Sequence, residues 1–200
     1  MVYRALLALP QAREILLKTV LLQEEEPSAA LFTDWPLGEL CAVEALSGNW
    51  TAAHDYARRI LATREGGAER SLDLTAPFQI EALLRGGDEA LAHTKTGRLG
   101  RAAKDMPRYQ YLHQRMLAVL ATWDGAANQA IAHLQESLSL AQQLNLPGEQ
   151  WQILTKLAQL YPDASQPQAA KSQKAEIVSR LAERIGDEKL REGFVTAVTF

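Results

Sequence analysis

The chain has 200 residues, 47% of them hydrophobic and 22% charged. At this length a folded chain buries roughly 70% of its unfolded surface, and the composition excludes disordered and low-complexity classes. A formal net charge of −3 gives no global pull toward nucleic acid or anionic lipid, and a single cysteine, Cys41, excludes an intramolecular disulfide framework and a cysteine-only zinc site.

Residues 1–30 read as an N-terminal helical segment. Its most apolar run, Ala5 to Leu22, is interrupted by Pro10, Gln11, Arg13, Glu14 and Lys18, well short of the ~18 uninterrupted apolar residues a membrane-spanning helix needs. Arg4 is a thin basic start, and no small-residue cleavage site precedes Glu24, Glu25 and Glu26, which argues against a signal peptide. The expected location is therefore cytoplasmic, with no membrane contact. Leu6, Leu7, Leu9, Ile15, Leu16, Leu17, Val20, Leu21 and Leu22 are still more apolar surface than one end helix exposes. Either the segment folds back on the rest of the chain, or another surface covers it, as in a homodimer.

Beyond it the sequence repeats itself. Glu44-Ala45-Leu46 before Gly48 recurs as Glu81-Ala82-Leu83 before Gly86-Gly87, a third break falls at Asp124-Gly125, and a fourth lies near Pro162-Asp163. Breaks about 38 residues apart, each between two apolar stretches at helical spacing, describe a repeated helix-turn-helix unit. The units are placed at 35–66, 72–106, 107–146 and 147–186.

In the first unit Leu37, Leu40 and Cys41 precede Gly48-Asn49, Ala53, Tyr56, Ala57, Ile60 and Leu61 follow it, and Gly66-Gly67 is the stop. The second has Ile80, Leu83 and Leu84 after Pro77, but Gly97 and Gly100 each cost about 1 kcal/mol in a helix, so its second half is expected to bend or break. In the third unit Leu112, Met116, Val119, Leu120 and Trp123 form one stripe ending at the turn. Ala127, Ala130, Ile131, Leu134, Leu138 and Ala141 continue it to a stop at Asn145 and Pro147. The fourth carries Trp151, Leu154, Leu157, Ala158 and Tyr161, a turn from Asp163 to Pro167, then Ile177, Val178, Leu181 and Ile185. A capping helix over 187–200 closes the chain, with Asp187 and Glu188 suited to its start. No run alternates with period two, so the fold class is all-α.

Little points to chemistry. His54, His93, His113 and His133 lack metal-ligand spacing, and Cys41 sits on an apolar face as a small core residue. Neither a cofactor nor catalysis is expected. Lys95, Arg98, Arg101, Lys104 and Arg108, opposed only by Asp105, form a candidate basic patch. These cations drift round a helix instead of making one stripe, and no aromatic interleaves before Tyr109 and Tyr111, so a solvated face is expected and nucleic acid is not. Trp35, Trp50, Trp123 and Trp151 fit repeat packing and could equally anchor an interface.

The turns Gly48-Asn49-Trp50-Thr51-Ala52-Ala53 and Gly125-Ala126-Ala127-Asn128-Gln129-Ala130-Ile131 resemble the tetratricopeptide turn, with glycine followed five residues later by alanine and then an apolar residue, a last place where His54 departs from the pattern. Cys41 with Ala53, and Ala118 with Ala130 and Ser137, sit where that family uses small side chains so that paired helices approach closely. A period near 38 is longer than the usual tetratricopeptide 34. It is similar to the extended repeats in C-terminal arrays of bacterial signal-transduction ATPases and transcriptional activators, and Leu181 to Phe194 looks like their closing helix pair. No nucleotide-binding glycine loop followed by Lys-Ser or Lys-Thr occurs, so the resemblance implies a regulatory piece without the ATPase engine.

What the resemblance implies is a right-handed superhelix of about four antiparallel helix pairs, a non-catalytic scaffold binding a protein or peptide partner in its groove. By position the leading helices would bring forward Glu81, Arg85, Arg115, Trp123, Gln150 and Tyr161. The alternative is a ligand-sensing regulatory segment of a bacterial transcriptional activator or signalling ATPase, which a polar pocket between repeat units would favour.

Overall fold

The computed structural model describes residues 2–25, 34–63, 74–161 and 165–199. Among them the fold is all-α, with eleven helices and no strand: α1 (Val2–Ala5), α2 (Leu9–Glu25), α3 (Asp34–Leu46), α4 (Trp50–Thr63), α5 (Ala76–Arg85), α6 (Glu89–Ala103), α7 (Pro107–Trp123), α8 (Ala127–Gln143), α9 (Pro147–Leu160), α10 (Ser165–Ala182) and α11 (Glu188–Thr199). The sequence breaks at Gly66-Gly67, at Pro162-Asp163 and across most of the Asp163-to-Pro167 turn lie outside the described residues, as does Glu26. The chain divides into two compact units, Met1–Lys95 and Thr96–Phe200.

In the first unit α3 packs against α2, α4 and α5. Every residue from Pro36 to Ala45 is buried, so α3 is a core helix covered on all sides. Leu37, Leu40 and Val43 meet Ala12, Leu16 and Val20 of α2 and Ile60 of α4, so the N-terminal segment does fold back on one face. Its other face stays in water, with Ile15, Leu21 and Leu22 exposed by 49%, 58% and 65%.

Burying α3 on all sides also buries two carboxylates, Glu39 and Glu44, and the folded-back segment supplies their counter-charges. The Arg4 guanidinium donates to Glu39. Arg13 Nε donates to Glu44 Oε1 at 2.7 Å, and Asn49 Nδ2 takes Oε2 at 2.9 Å. Arg59 on α4 reaches Glu24 on α2 at 3.0 Å.

The second unit runs as a series in which α7 packs on α8, α8 on α9, α9 on α10 and α10 on α11. Ala118, Ala130 and Ser137 are buried here, and Ser137 Oγ donates to the Tyr111 carbonyl at 3.0 Å. Asp187 caps α11, its Oδ1 accepting from Leu190 N at 2.9 Å, as negative charge at a helix start favours.

One backbone device recurs. Gly48, Gly87 and Gly125 have φ of 77°, 85° and 72°. Each donates back three residues while the next residue donates back five: Gly48 N to Ala45 O with Asn49 N to Glu44 O, Gly87 N to Leu84 O with Asp88 N to Leu83 O, Gly125 N to Thr122 O with Ala126 N to Ala121 O. This is the Schellman closure, in which a left-handed residue satisfies the last carbonyls of a helix. Asn145 repeats it at φ 52° between α8 and α9.

Helix α6 departs from the sequence expectation, since it runs unbroken through Gly97 and Gly100. Leu99 and Ala103 are buried along it, and burial of that face outweighs the glycine cost. Gly100 is also required by its neighbour, because a Cβ there would lie 2.6 Å from Nε2 of His113. At Gly97 the nearest atom to such a Cβ is an Arg101 terminal nitrogen at 3.9 Å. Gly97→Ala should therefore stabilise the chain by about 0.5–1 kcal/mol. Gly100→Ala gains the same helix propensity but displaces His113, and should lower the urea midpoint relative to Gly97→Ala. Equal midpoints for the two variants would refute the close packing at Gly100.

Candidate functional site

The residues singled out along the sequence take separate places. In the first unit Glu81 and Arg85 form an i,i+4 pair, with Arg85 Nη2 and Nε at 2.9 and 3.1 Å from Glu81 Oε1. The guanidinium lies over the Trp50 ring, 4.1 Å from its centroid, a cation–π contact at the mouth of the Gly48 turn. Beside it His54 Nε2 lies 2.7 Å from Asp88 Oδ2 and its ring covers Gly86, where a Cβ would come within 2.2 Å. That contact explains why a polar ring stands where the repeat pattern calls for an apolar residue. Lys95 is buried and does not belong to a solvated face.

In the second unit Arg115 on α7 pairs with Glu149 on α9 and reaches Gln152 Oε1 at 3.3 Å. The pair flanks the phenol of Tyr111, whose ring is wholly buried and whose hydroxyl is left without a hydrogen-bond partner. Burial, reinforced by Glu149, pushes that phenol far above the ordinary tyrosine value, so it stays protonated. Gln150 is a packing residue, its Nε2 donating to the Ala141 carbonyl at 3.1 Å where α8 ends. Tyr161 accepts from Gln135 Nε2 at 3.3 Å. Trp123 is 45% exposed, and Arg98, Arg101, Lys104 and Arg108 are all in water. Of the four tryptophans only Trp151 is buried, against Phe194.

A concave feature that no sequence motif announces lies in the second unit. It is a cleft of about 280 Å³, opening where the end of α6 meets α7 and α8. Its apolar floor is Gly100, Ala103 and Leu140; its polar wall is Lys104, Gln110, His113, Gln114 and Glu136. The two glutamines are oriented by single contacts, Gln110 Nε2 donating to the Lys104 carbonyl at 3.1 Å and Gln114 Oε1 meeting His133 Nδ1 at 2.8 Å. Only Lys104 carries a sequence signal, as part of the basic run. The local clue that could have found the rest is a glycine inside a helix, Gly100, which makes room for a ring from another helix.

His113 is held below the ordinary histidine value, first by burial and then by repulsion from His133. The unfolded chain takes up this proton near pH 6.5, whereas the folded chain takes it up only at lower pH. Stability contributed by the neutral ring is therefore complete above about pH 6.5 and is lost as the pH falls below it. Thermal midpoints between about pH 7.5 and pH 5 should drop more steeply for the natural chain than for His113→Gln. Parallel curves would contradict the assignment.

Among the described residues no three His, Cys, Asp or Glu side chains converge as a metal-binding group, and no helix is long and apolar enough to cross a membrane. No family model, curated protein or solved structure matches the chain.

Proposed function

We propose that this chain is a tetratricopeptide-like repeat array of about four antiparallel helix pairs in a right-handed superhelix, and that it serves as a non-catalytic scaffold for a protein or peptide partner. The recurring Schellman turn carries the reading: Gly48, Gly87 and Gly125 close three helices with the same pair of hydrogen bonds about every 38 residues. The ion pairs agree with it. Arg4–Glu39, His54–Asp88 and Arg115–Glu149 join residues 35, 34 and 34 positions apart, the step by which a side chain in one repeat meets its counterpart in the next. Cys41, Ala53, Ala118, Ala130 and Ser137 are all buried, as helices in close approach require.

The mechanism is preorganisation. A groove held by stacked helices reduces the ordering cost of association, and an extended or helical peptide is the expected ligand. The test is affinity capture from the source cytoplasm followed by titration of a synthetic peptide from the captured protein. Arg85→Glu and Trp123→Ala, both at exposed positions, should weaken that peptide about tenfold with the helical circular dichroism unchanged. Unaltered affinity in both variants would remove these residues from the groove and the groove from the function. A light-scattering mass on the same sample reports whether the exposed Ile15, Leu21 and Leu22 face brings two copies together.

A further inference from the structure

The cleft of the second unit is built for a different kind of ligand from a peptide groove, and it stands whether or not such a groove is used. At about 280 Å³ it is at the small end of ligand pockets, the size for a metabolite and not a macromolecule. Its rim carries one charge of each sign, Lys104 and Glu136, while the remaining polar groups are neutral. The His113 ring adds no fixed charge at neutral pH, because burial favours its neutral form. A simple anion would gain Lys104 but face Glu136, and a simple cation would meet the converse. A molecule carrying both charges satisfies both residues.

The two glutamines add a second selection. Gln110 spends its Nε2 on the Lys104 carbonyl and keeps Oε1 as an acceptor. Gln114 spends its Oε1 on His133 and keeps Nε2 as a donor. One acceptor and one donor, each oriented by a contact outside the cleft, complement the N–H and C=O of a primary amide. Ala103 and Leu140 provide an apolar floor that fits a short methylene chain.

We propose that this cleft binds a free amino acid, with its carboxylate at Lys104 and its ammonium at Glu136, and that it prefers an amide side chain held between Gln110 and Gln114. The test uses the full chain and isothermal titration with L-glutamine, L-asparagine and glycine, beside glutarate and butylamine, which each lack one of the two charges. L-Glutamine and L-asparagine should saturate a single site, with glycine, glutarate and butylamine each weaker by about tenfold or more. Glu136→Gln and Lys104→Met, both at exposed positions, should each weaken L-glutamine by about tenfold while leaving the far-ultraviolet spectrum unchanged. Chemical-shift changes should centre on His113 and His133. No saturation by any of the three amino acids, equal binding of glutarate, or unchanged affinity in both variants overturns the proposal. Loss of this site leaves the peptide titration unaffected, so the two readings fail separately.

Discussion

Replacing Arg4 by methionine is expected to destabilise the first unit by about 3–5 kcal/mol, although the residue sits in a four-residue helix at the edge of the chain. The reason is Glu39, which is 2% exposed on a helix buried on every side. Removing its cationic partner leaves an uncompensated charge in a medium that solvates it poorly. An Arg4→Met/Glu39→Met double variant should recover most of the loss, since two apolar side chains can replace a buried ion pair at little net cost. The exposed Lys18–Glu14 pair supplies the contrast: both side chains are about two-thirds exposed, and Lys18→Met should cost less than about 0.5 kcal/mol. Urea unfolding of the four chains measures all these differences. A small loss for Arg4→Met would mean that water reaches Glu39.

Phe194→Ala should cost the second unit about 3–5 kcal/mol. The side chain is 2% exposed and meets Trp151 edge to face, with ring centroids 6.3 Å apart and planes at 79°. It is also one of only two buried residues along α11, the other being Val198. Truncation therefore leaves a cavity beside Trp151 and removes half of what docks the helix. Amide exchange over 188–199 should accelerate first, and Trp151 fluorescence should shift toward that of a wetter indole. A loss spread evenly over the second unit, with α11 still protected, would show that the helix is held by other contacts such as Lys174 Nζ to the Val198 carbonyl.

Much of the helical plan is legible along the chain because its signals are local. The stripe Leu112, Met116 and Leu120 is buried as its spacing requires, and the stops at Gly48, Gly125 and Asn145 are the residues that tolerate positive φ. The fold-back of the N-terminal segment is one of two alternatives at the level of sequence, because an apolar face alone does not say what it meets. What escapes a linear reading is set by residues distant in sequence. Glu39 and Glu44 look like solvent-facing acids until Arg4 and Arg13 arrive from more than thirty positions away. Gly100 looks like a helix breaker until His113 lies across it. The cleft has no linear motif, since its wall draws on α7, α8 and the residue that follows α6. Lys95 reads as one of a solvated run of cations and is buried.

Cys41 is 0% exposed at the middle of α3, and the sequence has no other cysteine. A thiol so placed cannot meet a water-borne disulfide reagent until α2, α4 or α5 lifts away. Its labelling rate in native buffer is accordingly a built-in clock for opening of the first unit. With no second sulfur to confuse the signal, partner binding to that unit can be timed by how far it slows the reaction.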